Sequence, residues 1–202
     1  SSLPGAADLS EEEIGQRVAA CSYQIVVEKA NGEIGSGTGF FVTADGLMAT
    51  SAHVVSQARA IQVWCGRERA PRGARVVLLN PDLDLALLAV DTETPRAYLP
   101  LGESLSVQPL TQLIVFGNAH VQPGEPGRLI MARVARNSRE DPLHIETDGA
   151  IEAGFSGGPA VDRSRGVVVG VVRGGYGPSA TLLVRSEQLM ELLIGLGYRF
   201  TS

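Results

Sequence analysis

The feature that most narrows the fold is a rhythm. Short strand-like runs, separated by turns rather than helices, fill most of the chain. They are Tyr23–Val27, Gly37–Val42, Leu47–Thr50, Ala60–Trp64, Ala74–Leu79 and Leu85–Val90, then Leu113–Phe116, Leu129–Ala135, Leu143–Glu146, Val167–Val172 and Thr181–Val184. Each is apolar or β-branched and bounded by turn-forming residues, as strands are. With 24 Gly and 11 Pro the chain can make the turns this pattern needs. A parallel α/β sheet would require a helix between successive strands, and the sequence has none there. The expectation is an all-β barrel or sandwich. Helices are confined to the ends. Ser10-Glu11-Glu12-Glu13 fits a capping box and predicts a helix over Ser10–Ala20. Ser186 is read as the cap of a final helix, with Leu189, Leu192, Leu193 and Leu196 on one buried face. The irregular stretch Asp91–Val107, with Pro95 and Pro100, reads as a connection between two halves.

Several function classes lose support at once. The formal charge is −5, and no basic run stands out, so nucleic acid is not an expected partner. No apolar stretch approaches the ~18 residues of a membrane span; the longest, Gly166–Val172, reads as a buried strand. The two cysteines, Cys21 and Cys65, form neither a CxxC pair nor a zinc-type cluster with histidine, so no metal is expected. The start, Ser1-Ser2-Leu3-Pro4, carries no signal-peptide pattern and reads as a trimmed or processed end. That leaves periplasmic, extracellular and cytoplasmic locations open for a soluble protein.

The chemistry sits in three segments. Gly154-Phe155-Ser156-Gly157-Gly158-Pro159 places a serine in a glycine-rich turn. A hydroxyl attacks a carbonyl well only when a base takes its proton and N–H donors hold the developing oxyanion. The backbone N–H groups of Gly154 and Ser156, around Phe155, are the candidate donors. The same residues spell the nucleophile elbow of α/β-hydrolases, but that fold orders serine, acid, histidine, and no histidine follows Ser156. In Thr50–Val55, His53 follows an apolar strand that could fix its ring, as a general base requires. Asp84 opens the buried run Leu85–Leu88, where a carboxylate is costly unless hydrogen-bonded. A bond from a histidine Nδ1–H would meet that need and fix the tautomer. Asp82, two residues earlier in the Pro81 turn, is the competitor.

The order His53, Asp84, Ser156 is that of chymotrypsin-like enzymes. Locally the chain resembles the HtrA/DegP branch of those serine proteases. Gly35-Ser36-Gly37-Thr38-Gly39-Phe40 is similar to its opening strand. Thr50–Val55 is similar to its T-N-x-H-V block, with Ser51 for Asn. Asp84–Leu88 and Thr147–Pro159 resemble its aspartate and serine blocks, with Phe155 for the usual Asn. The resemblance runs from about Ser22 to Val184. It implies two packed six-stranded Greek-key barrels, at about 20–105 and 106–185, with a helix over 186–202. It also implies acyl transfer without metal or cofactor on a protein or peptide substrate. A regulatory partner and a homo-oligomer are both compatible with it, as is attachment to larger bacterial systems.

The resemblance also places Ala150 and Ile151 at the floor of a primary substrate pocket and Val171, Val172, Arg173 and Gly174 along its wall. An uncharged residue before the cut would then be preferred, unless Arg173 attracts an acidic one. Asp148 lies two residues too early to be a trypsin-type specificity acid. The implied pairing of the strand from Cys21 with the strand ending at Cys65 makes a Cys21–Cys65 disulfide a candidate. His120 and His144 are read as surface-loop residues. An active endopeptidase, a protease-like binding module silenced by Phe155, and an esterase are the three readings carried forward.

Overall fold

The computed structural model describes residues 9–64, 70–93, 96–118, 122–149, 151–175 and 179–200. The capping box forms: Ser10 Oγ accepts from the Glu13 N–H, and the Glu13 carboxylate accepts from the Ser10 N–H. It starts helix α1, Glu11–Cys21, whose buried face carries Ile14, Val18 and Cys21. The strands that follow are β1 (Ser22–Lys29), β2 (Ile34–Phe41), β3 (Leu47–Thr50), β4 (Ala58–Trp64), β5 (Arg72–Asn80) and β6 (Leu85–Val90). They close into an antiparallel barrel in the order β1-β2-β3-β6-β5-β4. Strands β7 (Gln112–Gly117), β8 (Arg128–Arg136), β9 (His144–Asp148), β10 (Pro159–Asp162), β11 (Val168–Gly175) and β12 (Ala180–Arg185) close a second, ordered β10-β11-β12-β9-β8-β7. The expected pair of six-stranded barrels is the architecture found.

The continuous apolar runs are explained by burial on both faces. In β6, Ala86 and Leu88 fill the interior of the first barrel with Ile25, Met48 and Val63. Leu85 and Leu87 point the other way, into a core shared by both barrels. Phe40 from β2, Phe116 from β7, and Val168 and Val171 from β11 meet there, under α1 and the last helix, α3 (Ser186–Gly195). Each Å² of apolar surface buried there contributes roughly 25 cal/mol, which makes that shared core the adhesive between barrels. The connection between halves follows it: the Leu99 N–H donates to the Phe41 carbonyl of the first barrel, and the Gly102 N–H to Val168 of the second.

Four readings need correction. Strand β10 went unseen, because Pro159-Ala160-Val161-Asp162 is short and begins with proline, which is tolerated at a strand's first residue. Ser186 does not cap α3; its hydroxyl donates to the Gly102 carbonyl, and Arg185 occupies the cap position. Leu189 and Leu193 are buried as expected, but Leu196 lies past the helix end and is 40% exposed. The candidate disulfide is not formed: Cys21 is a free, buried thiol. Strands β1 and β4 do pair, with Gln24 opposite Trp64. Cys21, however, is the last residue of α1 and turns into the shared core, and Cys65 lies outside the described residues. Burial pushes the Cys21 thiol up to about 11, so it is not a nucleophile at neutral pH. Among the described residues no helix is long and apolar enough to cross a membrane.

Phe40 is fully buried where the barrels meet. Phe40→Ala should therefore lower unfolding free energy by about 3–5 kcal/mol in urea denaturation. Val76→Ala, at a 39% exposed position on β5, should change it by no more than about 0.5 kcal/mol.

Candidate active site

Directly after β3 the chain makes one helical turn, α2 (Ala52–Val55), and His53 rides on it rather than on a strand end. Its apolar neighbours Ala52, Val54 and Val55 are buried, which fixes the turn and leaves the half-exposed imidazole at the surface of the first barrel. Asp84 reaches it from the start of β6. The turn Pro81–Asp84 closes with the Asp84 N–H donating to the Pro81 carbonyl, and Asn80 Oδ1 accepts from the Leu83 N–H. Asp84 ends that turn at φ 57°, a left-handed conformation that Asp tolerates better than most residues. Its carboxylate then lies against His53. Oδ2 is 2.7 Å from Nδ1, and Oδ1 accepts from the His53 backbone N–H at 2.9 Å. With both oxygens engaged, the carboxylate accepts a hydrogen bond from Nδ1–H, which keeps the proton on Nδ1 and leaves Nε2 as an acceptor. Asp82 is exposed in the turn and makes no such contact.

The Ser156 loop belongs to the second barrel but is gripped by the first. The Thr38 N–H donates to the Ser156 carbonyl at 2.9 Å, and Thr38 Oγ1 donates to the Gly154 carbonyl at 2.8 Å. Thr38 Oγ1 in turn accepts from the Asn118 N–H, and the Thr38 carbonyl accepts from Thr50 Oγ1. Gly157, at φ 87°, brings the backbone so close that a Cβ there would lie 2.2 Å from the Thr38 carbonyl oxygen. Thr38 and Asn118 escaped the sequence reading. Thr38 lay inside a matched block, but a threonine among glycines gives no sign of its partners.

Phe155 enters no substrate pocket. It is fully buried in the second barrel's core, packed where a side chain on Gly117 would otherwise stand. Ala153–Phe155 forms a single 3-10 turn. In it the Ser156 N–H, an expected oxyanion donor, donates to the Ala153 carbonyl at 3.1 Å. Ser156 Oγ makes no hydrogen bond to His53 and contacts the Arg173 carbonyl at 3.5 Å.

The expected pocket fares unevenly. Ile151 is buried, and its N–H donates to Thr181 Oγ1. Val171 and Val172 are fully buried in the shared core and the second barrel's core, so their side chains line no pocket wall. Arg173 projects from β11 toward Asp84, with Nε 4.0 Å from Oδ2, and Gly174 follows it into open space. Ala150 and His120 lie outside the described residues. His144 is not a loop residue: it begins β9, only 16% of its side chain is exposed, and its ring meets Asp141 and Arg173. Asp148 pairs with Arg133 on the surface. Among the described residues no group of three or more His, Cys, Asp or Glu is placed to hold a metal ion.

This geometry agrees with the comparisons to known proteins. A family model described as a trypsin-like peptidase domain matches residues 37–171, which spans β2 to β11. The chain belongs to the trypsin-like peptidase domain family. Within that family it is 33% identical over 170 residues to serine protease HTRA2, mitochondrial, of Bos taurus, covering 79% of this chain and 36% of that protein. It is 30% identical over 145 residues to a probable periplasmic serine endoprotease, DegP-like, of Rhizobium meliloti, covering 71% and 28%. The chain thus spans about a third of the length of these relatives. An HtrA-type protease, AlgW with tripeptide, superposes with a TM-score of 0.78 at 24% identity, over 93% of this chain and 64% of the other.

Thr38→Val should remove both hydrogen bonds of the Thr38 side chain and strand the buried Asn118 N–H. The expected loss is about 1–3 kcal/mol of stability in urea denaturation, with faster amide exchange at Gly157.

Proposed function

We propose that this trypsin-like peptidase domain acts as a serine endopeptidase, with Ser156 as nucleophile, His53 as general base and Asp84 as the group that orients it. The observation that carries the reading is the two-point grip of Asp84 on His53, which leaves Nε2 free to accept a proton, beside a serine loop clasped to the same barrel. In the proposed reaction Ser156 Oγ leaves the Arg173 carbonyl and donates to Nε2 instead. Ser156 then attacks a peptide carbonyl, His53 takes the hydroxyl proton and returns it to the leaving amine, and water cleaves the acyl-enzyme by the same steps in reverse. The negative charge of Asp84 stabilises the imidazolium formed between them.

One observation favours a resting state in which this chemistry waits. The Ala153 carbonyl occupies the Ser156 N–H that would hold the oxyanion. Losing one such donor typically costs 10²–10³ in turnover. Reorientation of the Ala153–Gly154 peptide would free the Ser156 N–H and present the Gly154 N–H beside it. The second reading, a protease-like module that binds peptides without cutting them, draws on the same contact: it holds if that peptide never turns.

A fluorophosphonate probe decides between them. Adduct formation at Ser156, located by mass spectrometry and abolished in Ser156→Ala, is the expected result, together with cleavage of casein. Asp84→Asn should lower kcat by about 10⁴, since the wrong tautomer then faces the serine. A folded protein that binds peptides yet never labels, even at saturating peptide, would establish the silent module instead. Ester hydrolysis without casein cleavage would point to the esterase.

A further inference from the structure

Arg173 stands at an irregularity in its strand. Along β11 and β12, Val172 pairs with Leu183 and Gly174 with Leu182, so Arg173 is the unpaired residue of a bulge. Gly174 follows at φ 146°, a backbone conformation glycine accepts readily. Bulges next to active sites commonly re-aim one side chain. Here the backbone on the N-terminal side is fixed: the Val172 carbonyl accepts from Ser51 Oγ of the first barrel and from the Gly157 N–H. From that point the guanidinium extends across the cleft.

It meets a group on each side. Nη1 lies 2.9 Å from His144 Nε2, and Nε lies 4.0 Å from Asp84 Oδ2, the oxygen already bound to His53 Nδ1. A guanidinium can only donate, so His144 Nε2 must be the acceptor and Nδ1 carries the ring proton. Asp141 takes that side, with Oδ2 3.3 Å from Nδ1 and Oδ1 accepting from the His144 and Leu143 N–H groups. The Asp141 turn is tied down in its own right, because the buried Arg185 donates to the Asp141 and Ser138 carbonyls. A fixed chain thus runs Arg185–Asp141–His144–Arg173 and ends at Asp84. Nothing else described reaches that Asp84 oxygen from the second barrel.

We propose that Arg173 is a positioning residue, held by His144, that keeps the Asp84 carboxylate in the orientation from which it grips the His53 ring. This rests on the reading of Asp84 and His53 as members of the catalytic group. Among the described residues of the first barrel, only His53 bonds the Asp84 carboxylate. Arg173 adds a restraint from the opposite wall, so the pair stays aligned only while the two barrels keep their registration. An ordinary cross-barrel ion pair would contribute to stability and nothing more.

The test reads the Asp84–His53 bond directly and then its consequence. In ¹⁵N-histidine-labelled protein the Nδ1-bound proton of His53, assigned by its loss in His53→Gln, should give a downfield resonance protected from solvent exchange. In Arg173→Met that proton should exchange at least about tenfold faster, and fluorophosphonate labelling of Ser156 should slow by about ten- to a hundredfold. Arg173→Lys, which keeps the charge but not the fork, should fall between. His144→Phe should reproduce the Arg173→Met effect, and the double variant should add little to either. An unchanged resonance and labelling rate in Arg173→Met, with only a lowered thermal midpoint, would overturn the proposal and leave the proposed function standing. Independent, additive losses in the two single variants would overturn the role of His144. Absence of the resonance from the unaltered protein would overturn the Asp84–His53 assignment itself.

Discussion

The hydrogen bonds that Thr38 exchanges with the Ser156 loop govern everything else at this site. His53 and Asp84 belong to one barrel and Ser156 to the other, and two independently closed barrels have no intrinsic reason to keep a fixed register. The apolar core around Phe40, Leu87, Phe116 and Val171 holds them together but is not directional. Register comes from the polar seam: Thr38 N–H to Ser156, Thr38 Oγ1 to Gly154, and Ser51 Oγ to Val172. Each such bond contributes only about 0.5–1.5 kcal/mol net, yet leaving its buried partners unmet costs more. The seam therefore selects one docking of the barrels by penalising the others.

The fold was legible in the sequence because its strands obey a simple rule. Runs such as Leu85–Val90 and Val168–Val172 are buried on both faces, so they read as uninterrupted apolar segments bounded by turns. The residues proposed to carry the chemistry were legible for other reasons: a carboxylate opening such a run is costly unless hydrogen-bonded, and a serine among glycines sits where the backbone can turn sharply and aim its N–H groups. What stayed hidden depends on contacts distant in sequence. Thr38 meets its partner carbonyl 116 residues away, and the role of His144 rests on an arginine 29 residues on. His144 was misread because a lone histidine at a strand start looks like a surface residue until the bulge at Arg173 brings a guanidinium to it. Phe155 was read as a departure that could alter the pocket. Its matching partner, Gly117, is visible only once β7 lies beneath the loop.

Asp84 shows how backbone and side chain are matched. Its left-handed conformation ends the Pro81 turn abruptly, so β6 begins at the next residue while the carboxylate stays at the barrel's rim. Asp82 occupies the middle of the same turn, where its side chain faces solvent and has no partner among the described residues. The two acids are separated by one residue in sequence and by an entire environment in the fold.

The same bonds also decide which part of the serine loop can move. The Gly154 carbonyl is held by Thr38 Oγ1, the Ser156 carbonyl by the Thr38 N–H, the Gly157 N–H by Val172, and the Phe155 carbonyl by the Gly158 N–H. The Phe155 ring is locked against Gly117. The peptide between Ala153 and Gly154 is held differently: its carbonyl is tied to the rest of the loop through the Ser156 N–H. Turning that peptide over changes ψ of Ala153 and φ of Gly154, and a glycine accommodates the second change without a Cβ penalty. The exchange breaks one backbone bond, of about 0.5–1.5 kcal/mol net, and leaves the Ser156 and Gly154 N–H groups as the two donors that the proposed function requires. A phenylalanine at position 155 therefore leaves that one peptide as the part of the loop free to turn in the activation proposed above. By anchoring the residue after Gly154 in the barrel core, it confines the rearrangement to a single peptide unit.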